Sequence, residues 1–453
     1  MFETMADFFS SQLKISRAYY VMQYKNVERA AERGRKYNYL GAMIDLYLAK
    51  SFRGDTAFFE TESGRKILKM IKKTTIIEEV GEGDSKTFSV KFNRQLVDDK
   101  HHELNIPKAA QEFEKYCQLM VIHNNNALVS MLIRLESFFQ NYFEWLVKKY
   151  PEKYLQDKSI KYTEILKYDF DGVKQQLTRE ASDAIVSQPL REWIKNIRAH
   201  KYKLDSLNPY FDELNEMYYR RNIIVHNNSE VNRMYLSNVK ECSAALGTRL
   251  ITDKAYIMNA YSTSMIIVYG LLYATLKSNP DDIARYLSFL FTAGFNHMLE
   301  GDWKIGKFIF STLSQDERQK EIDIVFSQIN FWICRKNSGE FKDIKGEIEQ
   351  VDYSAMNASV KMAKEMLLNN YDLGTAFLEE AIKAGQLTPD VVETWPIFIQ
   401  YRKTNQYKQF KERHASQIEE QSVRKDDLNI GDSATDDTCI QEIKDNIIQE
   451  IQQ

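Results

Sequence analysis

Between Asn124 and Tyr150, NNNALVSMLIRLESFFQNYFEWLVKKY, the residues Leu128, Leu132, Leu135, Phe138, Phe139, Tyr142 and Leu146 recur at steps of three and four. That spacing lays one wide apolar stripe along a helix. Glu136 falls at the edge of the stripe, where a carboxylate is either solvated or turned inward to a cation. Pro209 opens a second helical stretch, YFDELNEMYYRRNIIVH, ending at His226. The Asn-Asn-Ser-Glu run after it offers side chains that compete for backbone hydrogen bonds and stop a helix. A third helix is predicted over roughly Asp253 to Lys277, and together these elements predict a helical bundle over 106–280. Residues 1 to about 75 also alternate at helical spacing, as in YLGAMIDLYLAKSF, Tyr39 to Phe52. Lys73 to Phe92, KTTIIEEVGEGDSKTFSVKF, differs: two β-branched or aromatic runs flank Gly81, Gly83 and Asp84, which predicts a β-hairpin inside an N-terminal helical region, 1–105.

Beyond 280 the pattern changes to short helical stretches. Four polar turns each precede an aromatic residue or leucine, at Trp303, Phe341, Leu373 and Tyr407, with spacings of 38, 32 and 34 residues. These lie near the roughly 34-residue period of tetratricopeptide (TPR) helical hairpins. The region 281–414 resembles TPR repeats, which implies an α-solenoid whose concave face takes a protein partner or regulator. Residues 415–453 read as a flexible acidic tail carrying a short amphipathic helix, IQEIKDNIIQEI.

Composition narrows the class. Seven prolines and seventeen glycines in 453 residues are few, which favours long helices and a mostly α protein. Cys117, Cys242, Cys334 and Cys439 form no close pair, so neither a disulfide framework nor a zinc knuckle is predicted, and a reducing, cytoplasmic setting fits. The N-terminus has no signal-peptide pattern. The longest apolar run, Met265 to Leu276, is short of the roughly 20 residues a spanning helix needs, so no membrane segment is expected. Net charge is −3, but ten acids and three bases after Ala415 put −7 there and leave +4 on the body that a polyanion would meet.

The stretch RRNIIVHNN is chemically crowded for a packing helix. Asn222 and His226, four apart, share a helical face, and Arg221 lies one residue round. Arginine offers a permanently charged planar fork that suits phosphate oxygens, and an imidazole exchanges protons near neutral pH. Together they can bind a phosphodiester, activate an attacking hydroxyl and stabilise the charge that develops. No metal or other cofactor is required. RNA carries its own nucleophile, the 2′-OH, so such a site would cleave by internal transfer and leave a 2′,3′-cyclic phosphate.

The segment RNIIVHNNSEVNRMYL resembles the HEPN (higher eukaryotes and prokaryotes nucleotide-binding) family, whose signature is Arg, a polar residue, about three mostly apolar residues and His at the end of a bundle helix. Arg221, Asn222 and His226 fill those positions, and Val231, Asn232 and Tyr235 look like the downstream segment. SMLIRLESFF resembles the family's first long helix, in which an acid such as Glu136 supports the site; Asn227 is a second supporting candidate. The resemblance covers roughly Pro107 to Pro280. It implies a HEPN-like four-helix bundle that dimerises across the motif helix, and a composite active site for metal-independent endoribonuclease activity. Such proteins serve as toxins of toxin–antitoxin systems or as abortive-infection, anti-phage effectors. One His cannot be base at the 2′ oxygen and acid at the leaving 5′ oxygen at once, so a homodimer also follows from the chemistry.

Other constellations fail on spacing. HHELNI has Ile106 where a zinc protease needs its second His, and no Walker A loop, Gly-x-Ser-x-Gly elbow or dinucleotide fingerprint is present. The competing class is a non-catalytic HEPN/TPR-like scaffold for proteins or nucleotides. A third reading makes Tyr235 an acceptor of a nucleotidyl group.

Overall fold

The computed structural model describes residues 2–52, 62–80, 87–92, 106–156, 158–160, 163, 169–240, 242–277 and 283–415. The HHELNI stretch apart from Ile106, the glycine-bearing turn at 81–86 and the acidic tail after 415 lie outside them.

The described chain is mostly α-helical. In order come α1 (Phe2–Phe52), α2 (Glu62–Thr74), strands β1 (Thr75–Val80) and β2 (Thr87–Phe92), α3 (Ile106–Lys149), the single turn α4 (Pro151–Tyr154), α5 (Phe170–Val186), α6 (Leu190–Arg198), α7 (Asn208–His226), α8 (Arg233–Asn238) and α9 (Lys254–Leu276). They are followed by α10 (Ile283–Leu299), α11 (Trp303–Leu313), α12 (Glu321–Asn337), α13 (Phe341–Gln350), α14 (Ala358–Leu367) and α15 (Tyr371–Lys383). The strands pair antiparallel, from Thr75 opposite Phe92 to Val80 opposite Thr87.

Helix α9 organises the rest. Asp253 caps it by accepting from the Tyr256 N–H at 2.7 Å. Its residues from Tyr261 to Leu276 are buried almost without interruption, so it has no solvent face to spare. By length and composition it could cross a membrane, but 72% of its apolar window is buried inside the fold. Helices α1, α3, α7, α10 and α11 all pack on it. The stripe of α3 turns towards it, with Tyr142 and Thr275 hydroxyls 2.7 Å apart in the core.

Helix α1 runs antiparallel to α3, placing Phe2 on Trp145, Phe9 on Phe138 and the Tyr20 hydroxyl on Asn124 Oδ1. Ala6, Phe9, Leu13 and Tyr20 form its buried face. Each large side chain buried there contributes about 1.5–3 kcal/mol. A helix that the sequence places in a separate N-terminal region therefore contributes to the bundle's core. One continuous apolar cluster runs from Phe2 to Phe410 and crosses the boundaries at 105 and 280.

Two devices fix the C-terminal helices against this bundle. At Gly270 in α9, an added Cβ would lie 2.6 Å from Leu207 and 2.7 Å from Phe308 of α11, so only glycine allows the approach. At the α10–α11 turn, Lys14 and Arg17 of α1 pair with Glu300, and Arg17 also pairs with Asp302. Behind that pair His297, fully buried, has Nδ1 3.1 Å from Asp302 and Nε2 3.3 Å from the Tyr269 hydroxyl. Burial lowers the His297 pKa, against the opposing effect of Asp302.

Two outcomes are expected. Gly270→Ala should reduce stability by about 1–3 kcal/mol in urea unfolding, the range for overpacking a filled contact; an unchanged midpoint would contradict the crossing described. For His297, the unfolded imidazole takes up a proton as pH falls below its ordinary 6.5 while the buried one refuses it. Its contribution is therefore complete above pH 6.5 and lost as pH falls, by at most about 1.4 kcal/mol per pH unit. Urea midpoints measured from pH 7 to 5 should fall less steeply in His297→Gln than in wild type.

Candidate functional site

Helix α7 has two faces with different jobs. Phe211, Leu214 and Met217 enter the main core, whereas Ile223 joins Val231 and Tyr235 in a small second cluster. The helix stops where the sequence turns polar: the Asn227 and Ser229 N–H groups both donate to the Ile223 carbonyl, at 2.9 Å each. Asn228 and Ser229 adopt left-handed backbone conformations, φ 49° and 64°, and reverse the chain. The Asn227 side chain donates to the Glu230 carbonyl at 2.7 Å, and Glu230 bridges to Arg249. Asn232 then caps α8 by accepting from the Tyr235 N–H at 2.9 Å. Much of the HNNSEVN crowding is thus a helix stop followed by a helix start.

The two adjacent arginines part company. Consecutive helical residues point about 100° apart, so Arg220 and Arg221 reach different neighbours. Arg220 donates to Glu216 at 2.7 Å, lies 4.2 Å over the Tyr256 ring and reaches the Ile251 carbonyl. Glu216 also accepts from the hydroxyls of Tyr235, at 2.6 Å, and Tyr256, at 2.5 Å. This hub locks α7, α8 and α9 together. Tyr235 is 2% exposed with its hydroxyl committed to Glu216, so it presents no accessible acceptor for a nucleotidyl group.

Arg221 turns to α3. Its Nη2 lies 3.1 Å from Glu136 Oε1, and Nη1 donates to Asn222 Oδ1 at 3.3 Å, with both partners of the ion pair about three-tenths exposed. Glu136, at the rim of its stripe, is the carboxylate turned to a cation. Partial burial raises its pKa, against the lowering effect of Arg221. His226, the last residue of α7, is exposed, and its side chain makes no hydrogen bond among the described residues. No bond joins it to Arg221 within one chain. The structure therefore brings Arg221, Asn222 and Glu136 together, leaves His226 free at the helix end, and spends Asn227 on the turn.

Tyr218, eight residues before His226 and four before Asn222, escaped the sequence reading. It stacks edge-on against Trp193 at 5.7 Å, and its buried hydroxyl has no hydrogen-bond partner among the described residues. Burial, with Glu136 nearby, holds that hydroxyl well above the usual tyrosine pKa. The i, i+4, i+8 column of Tyr218, Asn222 and His226 was the available signal.

His297, Glu300 and Asp302 form the one grouping of metal-type donors among the described residues, with ligand atoms within 4.8 Å of one another. Lys14 and Arg17 already neutralise its carboxylates. No family model matches the chain, and no curated protein or solved structure matches it.

The partition of the arginines is testable by thermal melts. Arg220→Ala strands Glu216 among aromatic rings and should cost about 2–4 kcal/mol. Arg221→Ala removes a partly exposed pair worth no more than about 1 kcal/mol. Equal losses from the two variants would contradict the division of roles.

Proposed function

We propose that the protein is a metal-independent endoribonuclease of the HEPN type, acting as a homodimer and serving as a toxin or anti-phage effector. One observation carries the reading: α7 presents a partly exposed arginine, held at the ready by Glu136, and ends in an exposed histidine with no structural employment. A cation held only by a partly exposed ion pair and an exposed proton-transfer group are the two parts that phosphodiester transfer needs.

In this reading Arg221 leaves Glu136 for the scissile phosphate, where its fork holds two oxygens. The phosphodiester carries the same single charge as the carboxylate and gains a second as the 2′ oxygen adds, so the guanidinium is held most strongly in the transition state, and Asn222 keeps the side chain oriented. His226 of one chain takes the 2′ proton as the 2′ oxygen attacks phosphorus. His226 of the second chain gives a proton to the departing 5′ oxygen, so the products are a 2′,3′-cyclic phosphate and a 5′-hydroxyl. The exposed apolar side chains Val225, Met234, Leu246 and Ile251, flanking the end of α7, give a second copy something to bury. The helices after 283 supply the TPR-like surface for a regulator in the same proposal.

The test is cleavage of labelled single-stranded RNA in EDTA, with the oligomeric state measured in parallel. Wild type should cut, leaving cyclic-phosphate ends. His226→Ala and Arg221→Ala should lose at least about a hundredfold in rate, the lower end for removing an acid–base group. Equal cleavage by wild type and His226→Ala, or activity abolished by EDTA, defeats the proposal. Intact dimers that never cut RNA would favour the scaffold reading.

A further inference from the structure

The C-terminal end of α3 carries a second arrangement that the α7 chemistry does not use. There the last turn of α3, the turn α4 and the residues after α6 meet in a cluster of rings. His200 lies 4.4 Å from Tyr150, 5.7 Å from Tyr202 and 5.8 Å from Tyr154, centroid to centroid. Lys201 adopts a left-handed conformation, φ 60°, which turns the chain so that His200 and Tyr202 both face the cluster. The Tyr154 hydroxyl is 2.7 Å from His200 Nε2, and the Tyr150 and Tyr202 hydroxyls are 3.2 Å apart.

Lysines are interleaved with these rings. Lys149 Nζ sits 4.7 Å over Trp145 and 5.7 Å over Tyr150, and Lys153 Nζ sits 5.4 Å over Tyr154. Lys148, Lys149, Lys153, Lys201 and Lys203 are all exposed. Among the described residues none of them has a carboxylate partner, although cations elsewhere in the fold, such as Arg17, Arg220, Lys304 and Arg335, are paired. Lysines in the last turn of α3 are accounted for by the negative end of its dipole. Lys201 and Lys203, beyond the end of α6, are not.

With Glu152 of α4 the only carboxylate among the described charges that act on His200, and five exposed lysines around it, the patch is net positive. Burial, and then Lys153 and Lys149, push the His200 pKa down to about 4. At neutral pH the ring is therefore uncharged and the cluster presents partly exposed aromatic edges and faces rather than another cation. Large exposed aliphatic side chains are concentrated elsewhere, at Ile15, Met22, Ile133 and Ile251, so the patch lacks the apolar face that a bilayer-binding surface needs. Lys153 Nζ lies 3.3 Å from His200 Nε2, and exposed lysines without carboxylate partners beside stackable rings are the combination that single-stranded nucleic acid uses, phosphates on the cations and bases on the rings.

We propose that this end of the bundle is a docking site for single-stranded RNA, with Lys149, Lys153, Lys201 and Lys203 on the phosphates and Tyr150, Tyr154 and His200 against the bases. It lies thirteen helical residues along α3 from Glu136, about 20 Å at 1.5 Å per residue. It therefore holds part of the strand away from the bond that is cut. The inference rests on the nuclease reading only for the choice of RNA as ligand.

The experiment uses full-length His226→Ala protein, so that RNA stays intact, and measures anisotropy of a labelled, unstructured 20-nucleotide RNA from 50 to 300 mM salt. Adding Lys149→Ala and Lys153→Ala should weaken binding about tenfold at low salt and flatten the log–log salt slope by about 1.4, two phosphate contacts at 0.7 each. Adding Tyr154→Ala instead should weaken binding about fivefold with the slope unchanged, the signature of a lost stacking partner. Melting curves identify any variant that has unfolded, and Tyr154→Phe, which keeps the ring, should restore binding. Lysine variants that bind within twofold of the parent overturn the site. Tyr154→Ala without effect, or inorganic polyphosphate competing as well as RNA, reduces it to a general polyanion contact and overturns the RNA assignment. If wild type fails to cut RNA, the nuclease reading falls while this binding result stands, because it is read on uncut RNA.

Discussion

A helix with no solvent face constrains everything around it. From Tyr261 to Leu276 helix α9 is buried on all sides, and exposing it would forfeit on the order of 25 cal/mol for every Å² of apolar surface left wet. Helices α1, α3, α7, α10 and α11 supply its walls, and each does so by turning its own stripe inward. Some of the polar groups inside are matched in pairs, Tyr142 with Thr275 and Tyr286 with the Tyr269 carbonyl. The orientation of α7, and so the direction in which Arg221 and His226 point, is inherited from this arrangement.

The limits of individual helices were legible in the sequence because caps and periodicity are local. Asp253 and the apolar run after it bound α9, Pro209 and the Asn-Asn-Ser stretch bound α7, and the 3–4 spacing from Leu128 onwards marks α3. Which stripe meets which was not legible, since periodicity says that a face must be buried and not against what. Hence α1 fits along α3 although the sequence sets it apart, and one core crosses the boundaries at 105 and 280.

The candidate site divides in the same way. Glu136 at the rim of α3 and Arg221 on α7 are singled out by residue type, but their meeting across 85 positions depends on the fold. The doublet Arg220–Arg221 reads as one basic feature in sequence and is two in space: one arginine joins the hub around Glu216, the other forms a partly exposed pair with Glu136. Asn227 illustrates the converse, a polar residue in the right neighbourhood whose amide is consumed by the turn. Tyr218 went unnoticed because a tyrosine on an apolar helix looks like packing until its hydroxyl is found without a partner.

The contact at Gly270 has a mechanical side. Phe308 of α11 and Leu207, the residue immediately before α7, meet at that glycine. From there α7 runs unbroken for 19 residues to His226, about 28 Å at the helical rise. A helix of that length is a stiff rod, clamped at one end by the C-terminal helices and ending at the other in the exposed histidine. Between those ends the Glu216 hub ties it to α8 and α9, and Arg221 ties it to α3. The start of α7, which meets α11 at Gly270, and the end that carries His226 thus belong to one continuous helix held at three points, Gly270, Glu216 and Glu136.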